Sequence, residues 1–137
     1  MWKYYALLSA FFAALTAILA KVGIKGISGN VATAVRTLVV LVLAWLIVLF
    51  SGQLKEVKEL SKTNLIFLVL SGLATGLSWI FYFKALETGN VAKVAPIDKL
   101  SVVFVMILAF VFLKEPVDLK TVLGGVLIAS GALLLAL

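Results

Sequence analysis

The chain has 137 residues, is 64% hydrophobic and only 13% charged, and carries a formal net charge of +6. Soluble domains are nearer half apolar and a quarter charged, and here the apolar residues run in continuous blocks, so the composition points to a polytopic helical membrane protein rather than a soluble domain or an alternating β-barrel. With no cysteine and no histidine there is no disulfide, thiolate nucleophile or Cys/His metal site, and any proton-coupled step must use a carboxylate, lysine or tyrosine.

About twenty apolar residues are needed to span a bilayer as a helix. On that measure the spans are about 4–20, 31–50, 64–86, 94–113 and 119–137. The first begins after Trp2 and Lys3 like a secretory signal, but its length, Lys21 at its far end and the four spans that follow make it a retained helix. Gly26, Gly29 and Asn30 separate it from the second span. Residues 52–63 form the one polar loop, and Thr88, Gly89 and Asn90 precede the fourth span. Pro116 and Asp118 precede the fifth. The tetrapeptide GNVA occurs at Gly29 and at Gly89, each time placing an asparagine where a helix N-cap is expected. With short loops throughout, residues 1–137 read as a single domain.

Membrane helices pack through small residues. Ala6, Ala10, Ala13, Ala17 and Ala20 make such a stripe on the first span. Gly72 and Gly76 form a GxxxG on the third, and Thr121, Gly125, Ala129, Ala132 and Ala136 line the fifth. Some of these contacts are open to a second subunit. On the third span Ser71, Thr75, Ser78 and Tyr82 share a face. They either bond to their own helix backbone or form the polar wall of a cavity.

Cations set the orientation. Lys3, Lys55, Lys58, Lys62, Lys114 and Lys120 lie on the N-terminal side, and Lys21, Lys25 and Lys93 on the other. This favours a cytoplasmic N-terminus. Arg36, Lys84 and Lys99 lie inside helices but near the second side; counting them there ties the tally and leaves dual topology open. The positive charge suits short loops beside anionic lipid headgroups. It is too scattered for a nucleic-acid patch.

The fourth span holds the run VAPIDKLSVVFV, in which Pro96 is a helix kink and Asp98 and Lys99 are charges. A charge in hydrocarbon costs about 2.5–3.5 kcal/mol on insertion scales and marks a functional site by default. Counted at about 1.5 Å per residue, Arg36, Lys84, Asp98 and Lys99 share a layer roughly 5–13 Å deep. Lys84 is long enough to snorkel to the surface. Asp98 is not; it can bind a cation, exchange a proton, or hold Lys99 or Arg36. As helix neighbours, Asp98 and Lys99 should point about 100° apart and have different partners. Ser101 shares the face of Asp98.

The segments SGLATGLSWIFYFKALETGN, VAKVAPIDKLSVVFVMILAFVFLKEP and GGVLIASGALLLA together resemble the EamA domain of the drug/metabolite transporter superfamily. The first half is similar more loosely, through Lys21 and the early Arg36, and the PIDKLSV run resembles the short, single-domain members. The resemblance implies one five-helix half of an inverted-repeat transporter. A half-site needs a partner, so a homodimer is expected, antiparallel in preference to parallel. The implied function is a secondary transporter, an exporter or exchanger of a small metabolite in the cell membrane, working by alternating access. Its substrate or coupling residues would be Arg36, Ser78, Trp79, Tyr82, Lys84, Asp98, Lys99 and Ser101. Two alternatives are a flippase or carrier for a lipid-linked phosphate or sugar, with Arg36, Lys84 and Lys99 receiving the phosphate, and a non-transporting membrane subunit. No nucleophile–base pair, metal cluster or Gly-rich phosphate loop suggests an enzyme, a cofactor or a metal.

Overall fold

The computed structural model describes residues 1–137, all helical apart from turns and caps. The helices are α1 (Trp2–Gly23), α2 (Gly29–Phe50), α3 (Leu54–Lys58), α4 (Lys62–Thr88), α5 (Val91–Asp98), α6 (Leu100–Phe112) and α7 (Leu119–Ala136). Five stretches are long and apolar enough to cross a membrane, α5 and α6 together supplying the fourth. The expected spans are therefore present, most of them longer at one or both ends. The polar loop holds the short helix α3, which sequence alone did not suggest.

The helix ends follow from local chemistry. Gly26, at φ +80°, makes the turn after α1 in the left-handed region that favours glycine. Ser28 caps α2, its Oγ accepting from the Val31 N–H at 3.4 Å. The asparagine expected to do this, Asn30, lies inside the helix instead. The serine two residues earlier already accepts from the first turn. At the second GNVA, Asn90 does stand at the N-cap of α5, but its side chain makes no capping bond. Helix α6 ends with Lys114 in the left-handed region at φ 54° and the Glu115 N–H returning to Ala109 O, so that a positive-φ residue closes the helix end. Pro116 then prevents continuation. Asp118 caps α7, its Oδ1 accepting from the N–H groups of Lys120 (2.8 Å) and Thr121 (3.0 Å).

The chain forms two compact units. In the unit of residues 19–88, α2 packs on α4. They run antiparallel. Gly29 meets Phe83, Lys84 and Glu87 near the end of α4, while Arg36, further along α2, meets Trp79, earlier in α4. Phe83, Leu86 and Ile24 are buried in this unit. In the other unit, residues 1–18 and 89–137, α7 packs on α5 and α6. Gly125 lies buried against Met106 and Ala132 is also buried. Most large apolar side chains along the spans are exposed, among them Leu68, Phe81, Phe104 and Leu127. Their burial is left to lipid or to another chain.

Candidate functional site

The first cluster is built where α2 meets α4. Gly29, Thr33 and Arg36 fall on one face of α2, at four- and three-residue spacing. Gly29 and Thr33 are buried. Thr33 returns its hydroxyl to Gly29 O at 2.8 Å and so presents no unsatisfied donor. These small residues let α2 approach α4 closely. A Cβ on Gly29 would stand 3.1 Å from the Phe83 carbonyl carbon, 3.2 Å from the Lys84 backbone nitrogen and 2.8 Å from Glu87 Oε1.

The close approach puts Arg36 on aromatic rings. Its guanidinium carbon lies 4.2 Å from the Trp79 ring centroid and 5.6 Å from that of Phe83. Trp79 and Phe83 are one turn apart, and Phe83 is the nearer to the end of α4. A snorkelling arginine would reach back toward that end. Arg36 leans that way, since Trp79 and Phe83 both lie toward that end from the α4 residues opposite it. A desolvated cation–π contact is worth about 2 kcal/mol, comparable to the roughly 2.5–3.5 kcal/mol a charge costs even at the bilayer centre. The aromatic contacts therefore offset much of the cost of Arg36. No carboxylate lies within ion-pair distance of Arg36.

At the near end of the same helices, Glu87 Oε1 accepts from the backbone N–H of Gly29, and Lys21 Nζ donates to Leu86 O. An acid thus caps the start of α2 and a cation the last turn of α4, each on the side the helix dipole favours. An open cleft of about 290 Å³ lies here, lined by Lys21, Ile24, Lys25, Gly26, Ile27 and Glu87.

The second cluster is the break in the fourth span. Pro96 has no N–H to continue the ladder. Helix α5 ends at Asp98, Lys99 is a turn residue, and α6 begins at Leu100. The Lys99 N–H bonds to Pro96 O, and the Val102 N–H to Lys99 O, each three residues back. Lys99 Nζ is 3.3 Å from Asp98 Oδ2. The separate partners expected for these two residues are not found. Lys99 keeps right-handed helical dihedrals at φ −70°, ψ −7°, and its long, exposed side chain reaches back to its neighbour.

The remaining candidates are placed as follows. Tyr82 is half-buried, its ring edge-on to Phe83 at 6.2 Å, and within electrostatic reach of Arg36. Ser78, Lys84 and Ser101 are exposed. Thr75, on the hydroxyl stripe with Ser78, returns its hydroxyl to Ser71 O at 2.9 Å. Gly125 is packed and Ala129 half-buried, whereas a Cβ on Gly72 or Gly76 would meet nothing within 4 Å. Sequence reasoning overlooked Phe83 and the Gly29–Glu87 contact. The i, i+4 aromatic pair Trp79/Phe83 was a usable signal for the first. For the second, nothing local linked residues so far apart.

Five apolar spans carrying a guanidinium over an aromatic ring, and a charged pair at a helix break, define a multi-pass membrane protein with polar groups inside its helical region. The chain belongs to the EamA-like transporter family, whose model matches residues 1–137. It is 51% identical over 135 residues to a Sinorhizobium protein described as an uncharacterized transporter in the cobO 3′ region, covering 98% of this chain and 96% of the relative. No solved structure matches. The protein is therefore a membrane transporter.

Proposed function

We propose that the protein is a secondary transporter of a small metabolite that works as a homodimer by alternating access. The observation that carries this reading is the break in the fourth span, where Pro96, Asp98 and Lys99 interrupt a segment otherwise apolar enough to cross the membrane. Broken helices near the bilayer interior supply the free helix ends and charges on which transporters hold substrates and coupling ions. Asp98 is the coupling acid and Lys99 its switchable partner: binding of a proton or a cation at Asp98 releases Lys99.

A single five-span unit supplies half of the two-repeat arrangement, and a second copy supplies the other. The Sinorhizobium relative matches this chain over 96% of its own length. The tied cation tally suits an antiparallel pair, with chains inserted both ways and the N-terminus of one copy cytoplasmic.

Proteoliposomes with a trapped pH-sensitive dye test the coupling. Metabolite pools added outside should drive a proton movement that Asp98→Asn abolishes. Movement unchanged in Asp98→Asn would remove this residue from the mechanism. Because the chain has no cysteine, single cysteines at Lys3 and Leu137 can report topology directly. Each terminus labelling from one side only would rule out the antiparallel pair.

A further inference from the structure

From the setting of Arg36 we infer a substrate class: the guanidinium stacked on Trp79 is an anion site for the carboxylate of a small organic monoanion. This rests on the transporter reading above and adds to it which charge the cargo carries. Three observations on the α2–α4 face converge.

Arg36 is half-buried and rests on Trp79 with Phe83 beside it. It has no carboxylate partner within ion-pair distance. A half-buried guanidinium with aromatic but no acidic neighbours has N–H donors available to a counter-charge. A guanidinium carries its N–H donors in its own plane, where the two parallel bonds to a carboxylate form.

Charge count decides between carboxylate and phosphate. Lys84, the other deep cation on this unit, is exposed, and Lys99 is paired with Asp98. One unpaired guanidinium is neutralised by one negative charge. A phosphate dianion would leave a net negative charge among apolar helices. Trp79 beside the fork also offers a surface for an apolar or aromatic body attached to the carboxylate.

The test compares acids with their neutral amides on the purified full-length protein. Acetate, benzoate and indole-3-acetate are each set against the corresponding amide, with inorganic phosphate as a further probe, in thermal unfolding. In a Trp2→Phe/Trp45→Phe background, Trp79 fluorescence gives a second readout at the site itself. At least one carboxylate should raise the unfolding temperature by several degrees and change Trp79 emission, while its amide and phosphate do neither. Arg36→Gln should abolish both responses, and Arg36→Lys should weaken apparent affinity about tenfold. If Arg36→Gln fails to fold, Arg36→Lys and Trp79→Phe carry the comparison. Equal responses to acid and amide, a stronger response to phosphate, no response to any acid, or responses that survive loss of the guanidinium would each overturn the assignment. Carboxylate binding at Arg36 without movement across vesicles would leave the site standing and defeat the transporter reading. Transport confined to neutral or cationic compounds and indifferent to Arg36→Lys would do the reverse.

Discussion

The carboxylate of Glu87 caps the first turn of α2 by accepting the backbone N–H of Gly29, across 58 residues of sequence. The contact ties the end of one membrane span to the start of another. It forms only because Gly29 has no side chain. The same residue therefore sets both the helix spacing and the capping bond.

Gly29→Ala should consequently be costly. The added methyl meets the backbone of Phe83 and Lys84 at 3.1–3.2 Å, and backbone cannot swing aside as a side chain can. Overpacking of this kind costs about 1–3 kcal/mol, so thermal unfolding in detergent should begin several degrees lower. Gly72→Ala is the matched control. Open space surrounds Gly72, and alanine is the better helix former, so its unfolding temperature should hold or rise.

Glu87→Ala should also destabilise, through the lost cap. A helix N-cap acceptor is worth about 1 kcal/mol. Glu87→Gln keeps an acceptor oxygen and should recover most of the loss, with only the dipole contribution missing. Equal melting of the two variants would show that the charge, and not the hydrogen bond, is what matters.

Pro96→Ala returns an N–H that can donate to Ala92 O and removes the ring from the turn before the break at Lys99. The fourth span should become a more regular helix. Unfolding temperature should rise while substrate-driven proton movement falls. A variant that is more stable and equally active would deny the break a role in transport.

Asp118, outside the spans, gives a pH prediction. The Thr121 hydroxyl, at 2.5 Å, and then the Thr121 backbone N–H hold its carboxyl below the usual carboxylate range. A depressed folded value means stability present above the unfolded pKa of about 3.9 and lost as pH falls through the lower folded value. Wild type should melt above Asp118→Ala at pH 5–7, and the gap should close only as pH falls below the unfolded carboxylate value. A gap independent of pH would assign the effect to something other than this cap.

The membrane class and the five spans were legible in the sequence because lipid imposes one simple demand. Every span must be about twenty apolar residues with its backbone satisfied within itself, and that demand is written locally. The charged positions stood out for the same reason, since Arg36, Asp98 and Lys99 are expensive wherever their helices point. Their partners were not written locally. Asp98 and Lys99 meet because the exposed lysine side chain bends back on its neighbour, which helical direction alone did not indicate. Arg36 meets Trp79 and Phe83 because Gly29 and Thr33 allow α2 to lie close on α4. The register that sets Gly29 against Glu87 comes from packing two distant helices, for which neither segment alone carries a signal. Length and hydropathy are properties of one segment, and so the sequence by itself determined the spans and their costly residues. Pairing is a property of two segments, and only the tertiary structure decided which aromatic ring, carboxylate or backbone end each charge would meet.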